Sequence, residues 1–116
     1  MRAGLTGTIP GRVVTRLPSR FEENLPVTRL ARGPGSDDGV TDTPLLDVET
    51  FGANELEMWE LAEATRQRLH QLAGTTIGGV LIDSVETATG PVEVDYGNPA
   101  VFRAVASYRV ALRRHG

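Results

Sequence analysis

At 116 residues, the chain has room for one domain with one modest core, which no disulfide or Cys-type zinc site braces, because cysteine is absent. The formal charge is −3 and every one of the twelve basic residues is an arginine, so the basic excess of a typical nucleic-acid binder is missing. No apolar run approaches the ~20 residues that span a bilayer, and residues 1–10 lack the apolar core of a secretory signal, so the expected compartment is the cytoplasm.

Residues 1–11 hold three glycines and a proline and read as a loose arm that orders only against a partner. Residues 12–17 (Arg-Val-Val-Thr-Arg-Leu) are rich in β-branched side chains and predict a strand, stopped by Pro18. Ser19 and Glu22 form a Ser-x-x-Glu pair, which predicts a single helical turn with Phe21 beneath it. A second strand over 27–32 sets Val27, Arg29 and Ala31 against Thr28, Leu30 and Arg32. Residues 33–43 (Gly-Pro-Gly-Ser-Asp-Asp-Gly-Val-Thr-Asp-Thr) have the composition of a loop, closed by Pro44 and long enough to be functional or mobile. A third strand over 45–51 sets Leu45, Asp47, Glu49 and Phe51 against Leu46, Val48 and Thr50.

Residues 54–74 carry the one long helical pattern. Met58, Leu61, Ala62, Thr65, Leu69, Leu72 and Ala73 recur at spacings of three and four, while Glu57, Glu60, Gln67, Arg68 and Gln71 form a wet face. Asn54 with Glu57 suits a relaxed capping box, and Gly74 suits the left-handed residue that ends a helix. Residues 75–79 read as a turn. A fourth strand over 80–87 opposes Val80, Ile82 and Ser84 to Leu81, Asp83 and Val85. Residues 88–99 form a second long loop around Gly90-Pro91 and Gly97-Asn98-Pro99, with 92–96 able to extend within it. The last strand, 101–113, turns Phe102, Ala104, Ala106, Tyr108, Val110 and Leu112 to the helix and Val101, Arg103, Val105, Ser107, Arg109, Ala111 and Arg113 away from it. The predicted class is α+β: one domain over 1–116, in the order β-β-β-α-β-β, with an antiparallel-rich sheet of about four to five strands on one long α-helix.

No constellation for catalysis or metal binding emerges, and the expectation is a non-enzyme without cofactors. His70 and His115 lack a ligand partner at metal spacing and read as surface residues. There is no Gly-x-Ser-x-Gly elbow and no phosphate loop. Asp37, Asp38 and Asp42 lack EF-hand spacing and read as a solvated acidic loop. Asp47 and Glu49 share one strand face, which a solvent-facing surface explains better than acid–base work. Trp59 lies beside Arg66 on the flank of the helix, where it is either a partner anchor or a partly buried tryptophan at the core edge. One helix covers one sheet face; the other mixes valines with arginines and suits a repeating assembly.

Several motifs in order carry a family resemblance: Arg12-Val13-Val14-Thr15-Arg16-Leu17-Pro18 with Leu25-Pro26-Val27-Thr28-Arg29-Leu30; Gly33-Pro34-Gly35, an acidic loop, and Pro44-Leu45-Leu46-Asp47-Val48-Glu49-Thr50-Phe51-Gly52; the helix through Leu61-Ala62-Glu63 and Leu69 to Gly74; and Gly90-Pro91 and Asn98-Pro99 leading to Tyr108-Arg109-Val110 and Leu112-Arg113. From Arg12 onward the chain resembles the tail terminator, or tail-completion, proteins of long-tailed bacteriophages of actinobacterial hosts. It departs from them in lacking a leading helix and in Met58, where alanine is usual. The resemblance implies a structural virion protein, assembled in the host cytoplasm, whose six copies form a ring on the tail tube. That ring would end tube polymerisation and present a surface to the head-completion protein, while DNA passes through the lumen unread. In such a ring the loop of Asp37, Asp38 and Asp42 is expected to make contacts or line the lumen, and Arg103 and Arg109 to pair between subunits. The alternatives are another head–tail connector or tube-like ring protein, and a small-ligand-binding or regulatory domain.

Overall fold

Period-two alternation runs through most of the chain, and it folds as one sheet with a single α-helix on one face. The computed structural model describes residues 11–37 and 41–114. In chain order the elements are β1 (Arg12–Val14), a 3-10 turn (Phe21–Glu23), β2 (Val27–Asp37), β3 (Thr41–Gly52), α1 (Glu55–Gln71), β4 (Thr76–Ile77), β5 (Val80–Glu93) and β6 (Phe102–Arg114). The sheet order is β1-β2-β3-β6-β5-β4. β1 pairs with β2 in parallel, and the remaining neighbours are antiparallel. The class is α+β as expected, but the sheet has six strands, the addition being β4 within the expected turn. No helix is long and apolar enough to cross a membrane among the described residues.

The helix begins where its caps dictate. Asn54 is extended and its side chain accepts the Glu57 N–H at 2.8 Å. Glu57 in turn accepts the Ala53 N–H at 2.8 Å, a reciprocal cap displaced by one residue from the usual box. Gly52, just before, lets the helix start close to the sheet: a Cβ there would lie 2.5 Å from the Met58 nitrogen. Met58, Leu61, Ala62, Thr65, Leu69 and Leu72 are buried against Leu30, Val48, Ile82, Val85, Ala104, Tyr108 and Val110. Ala73, expected on this stripe, is exposed, because the helix ends at Gln71 and the chain has already turned. Gly74 adopts φ +84, which glycine reaches without steric cost, and donates its N–H to the Ile82 carbonyl at 2.6 Å.

Much of the first expected long loop and half of the second are strand. The β2–β3 ladder runs from Val27↔Phe51 to Asp37↔Asp42, with a register slip between Arg32 and Gly35 that holds Gly33-Pro34. β1 pairs only with Val27, Thr28 and Arg29, so this part of β2 is a sheet edge among the described residues. A proline at an edge bulge forfeits no ladder hydrogen bond. β5 likewise continues to Glu93 through register slips between Ile82 and Ser84, Thr87 and Thr89, and Thr89 and Val92, the last holding Gly90-Pro91. The first slip turns Ile82 and Val85 both into the core, where simple alternation puts them on opposite faces. What remains as loop is residues 94–101, where Asp95 Oδ1 accepts the Gly97 N–H and Asn98 Oδ1 accepts the Ala100 N–H.

The face away from the helix is not bare. The 3-10 turn and the 94–101 loop fold over one end of it and bury Phe21, Val27, Phe51 and Val101, with Tyr96 packed alongside. Phe21, Phe51 and Tyr96 meet edge to face, with centroids 4.9, 5.6 and 5.5 Å apart. Phe21 thus sits under its turn as expected, but in a second core rather than in the one beneath the helix. The first arm, residues 1–10, lies outside the described residues.

Candidate assembly surfaces

On the open sheet face, strand pairing assembles charges that are distant in sequence. Arg29 stands opposite Glu49, and Arg103, opposite Phe51, lies two pairs along on the same face. Arg29 Nη1 donates to Glu49 Oε1 at 2.7 Å and Arg103 Nη1 to Oε2 at 3.2 Å, so one carboxylate holds two guanidiniums. Arg103 Nη2 also donates to the Asp95 carbonyl at 3.1 Å, and its guanidinium carbon lies 5.4 Å from the Tyr96 ring centre. Its buried Nε has no hydrogen-bond partner. Arg103 is therefore committed to its own subunit. Glu49 is only 20% exposed and clamped, not the solvent-facing carboxylate expected from alternation. Asp47 is exposed as expected and accepts the Ser107 hydroxyl at 2.9 Å.

Beside this network, Arg29, Ala31, Asp47, Glu49, Thr89, Val105 and Ser107 line an open concavity of about 390 Å³. Val92, 48% exposed, pairs with Val105 on the same face. Arg109 is 51% exposed and only loosely paired, with Glu86 at 3.8 Å, so it keeps most of its freedom to meet a charge from outside. Nearer the other end of the strand, Arg113 Nη2 lies 2.9 Å from Asp83.

On the other side of the molecule, Leu56 and Trp59 project from the first turns of α1, 69% and 39% exposed. They are three residues apart and so share one flank of the helix. Arg66 is turned to Glu63, donating from Nη2 at 2.6 Å and from Nε at 3.0 Å. That hydrogen-bonded pair lowers the Glu63 pKa and raises that of Arg66. Glu55 and Glu60 form no ion pair among the described residues, so the flank around Trp59 is acidic. Further along, His70 Nε2 is 2.8 Å from the Thr87 hydroxyl and its ring meets Tyr108 edge-on at 6.1 Å. His70 is thus a half-buried link between helix and β5 rather than a free surface histidine. Burial of Tyr108 pushes its phenol up to about 12, against an opposing pull from the Arg66 charge.

Of the remaining candidates, Asp37 and Asp42 face each other in the last pair of the β2–β3 ladder, while Asp38 and His115 lie outside the described residues. No group of three or more His, Asp or Glu residues that could hold a metal ion occurs among the described residues. The gap between helix and sheet, lined by Val48, Thr50, Ala62, Ala104 and Tyr108 among others, leaves no room for a water molecule. Tyr96, Leu56 and Val92 were not singled out by sequence, and Glu49 was read only as a solvent-facing carboxylate: Glu49 and Tyr96 act through pairings that only the fold creates. Leu56 did carry a signal, as an apolar residue three positions from Trp59 and off the core stripe. No family model matches the chain, and no curated protein matches it.

Proposed function

We propose that this chain is a ring-forming structural protein of a long-tailed phage, the tail terminator that caps the tail tube. Six copies sit on the last tube ring, stop polymerisation and offer their far surface to the head-completion protein. Packaged DNA crosses the lumen without being read, and an acidic chain suits that passage because it does not hold the phosphate backbone. The protein works in the virion, at the head-proximal end of the tail, without cofactor or catalysis. The observation that carries this reading is the order of motifs from Arg12 to Arg113 quoted above.

The geometry adds support. One helix closes one sheet face, and the other face keeps a concavity, an exposed valine and a loosely held arginine, features that a neighbouring subunit would cover. The acidic β2–β3 hairpin is the contact or lumen element in this reading. A ligand site between helix and sheet is disfavoured, because that gap is closed. Another head–tail connector or tube-like ring protein has the same geometry and differs only in its neighbours within the particle. Withholding the protein during phage assembly tests the reading: tubes of uncontrolled length that fail to join heads are expected, and normal joined tails would refute it.

A further inference from the structure

Residues 11–20 carry three arginines and no acid. Arg12 opens β1, the outermost strand on one side of the sheet, and Arg16 and Arg20 follow on the way to the 3-10 turn. All three are exposed and form no ion pair among the described residues, although Glu22 and Glu23 stand exposed on the turn itself. Arg20 also holds φ +57, a left-handed conformation that costs any residue with a Cβ and suits glycine. Its side chain makes no capping bond to the turn it precedes. An arginine held under backbone strain, with a side chain that does nothing for its own turn, points to a contact outside the subunit.

A surface of the opposite character lies on the other side of the sheet. Leu56 and Trp59 project from α1 between Glu55 and Glu60, two acids that form no ion pair among the described residues. By helical period Trp59 shares its flank with His70, whose ring nitrogen is 2.8 Å from the Thr87 hydroxyl of β5. The strands β2, β3 and β6 separate β1 from β5. One copy therefore cannot lay its arginines on its own Trp59 flank, but two copies side by side can.

We propose that the Trp59 flank of one copy is covered by residues 12–20 of a second copy, with Arg12, Arg16 and Arg20 set against Trp59 and the carboxylates of Glu55 and Glu60. An indole between carboxylates is matched by guanidinium, which stacks on the ring and pairs with the acids in a planar fork. Tryptophan and arginine are also the residues that dominate interface hot spots. The contact is head-to-tail: each copy gives its helix flank to one neighbour and its β1 side to the other. Such an interface closes into a ring when its rotation allows and otherwise grows as a filament. It rests on the ring reading above and gives that ring its subunit contact.

Each side can be removed at exposed positions. Trp59→Ser blunts the flank, and Arg12→Ser with Arg16→Ser empties the basic segment; circular dichroism and thermal unfolding verify that both variants fold. In analytical ultracentrifugation the wild type should self-associate, more weakly as salt rises. Each variant alone should associate roughly 30-fold or more weakly, the fold-change of a hot-spot residue. A one-to-one mixture of the two should form a dimer, because one intact flank and one intact basic segment remain. Arg20→Gly relieves the backbone, so its Tm should hold or rise while association weakens; a lowered Tm with unchanged association would assign Arg20 to its own subunit and count against the contact. A wild type that stays monomeric at its highest soluble concentration, variants that associate like it, a mixture that does not dimerise, or arginines that bind a short DNA duplex in place of a second copy would overturn the proposal. Tail tubes capped normally by the Arg12→Ser, Arg16→Ser variant would remove this contact and leave the terminator reading standing, whereas a wild type that caps no tube would remove that reading.

Discussion

Glu49 decides the electrostatics of the open face, because it alone neutralises Arg29 and Arg103. Its removal leaves Arg103 half-buried without a counter-charge, next to an aromatic ring. Glu49→Ala is expected to cost about 1–3 kcal/mol, below the value for a fully buried pair because solvent reaches these groups. A urea titration should show a lowered midpoint with an unchanged slope. Tyr108 makes a second residue-scale prediction. Burial raises its pKa from 10.0 to about 12, so the folded state holds the proton more tightly than the unfolded chain. Its contribution is therefore fully present below pH 10 and is lost as the pH rises through about 12. Ultraviolet titration should find one of the two tyrosines ionising only near pH 12, with stability falling across the same range; Tyr108→Phe should remove that fall. None of this was legible in the chain, since the Glu49 clamp joins residues on three strands. Alternation grouped Arg29 with Val27 and Ala31, and Glu49 with Asp47 and Phe51, but only register shows that these two groups share a face and that Arg29 meets Glu49.

At the scale of elements, the helix was the most readable part, because its signals are local. Its spacing and Asn54 cap hold, but the helix ends at Gln71 with Leu72 as C-cap, so Ala73 leaves the stripe and Gly74, though at positive φ, lies past the residue that ends the helix. Asn54→Ala is expected to destabilise by about 1 kcal/mol through the lost cap. Gly52→Ala should cost roughly 1–3 kcal/mol by pressing a methyl group into the helix backbone, visible as a drop in Tm. The strands were harder. Segments 33–43 and 88–99 have the glycine and proline content of loops, yet both continue β-ladders through bulges. A bulge is settled by the partner strand and the edge position, and neither is written in the segment itself. For the same reason the alternation of β5 failed after Ile82, where one slipped residue brings Val85 inward.

At the scale of the whole molecule, the sheet leaves much of β2 and β5 unpaired along its two sides, among the described residues. Each carries a Gly-Pro step at a register slip, which discourages a further strand from adding there. In the proposed role, contacts with other copies or partners would fall to side-chain surfaces such as the acidic Trp59 flank and the open-face concavity. Of the residues that sequence marked for an interface, Trp59 is exposed and Arg109 is exposed and only loosely paired with Glu86, while Arg103 and Arg66 are held more closely inside the subunit. In the role proposed for it, this chain caps a tail tube. That role is tested by mixing the purified protein with a long-tailed phage's tail-tube protein and following the products by negative-stain electron microscopy. Tubes that end in one added ring and stop growing are expected; tubes that elongate unchanged, with this protein left free in solution, would refute the capping role.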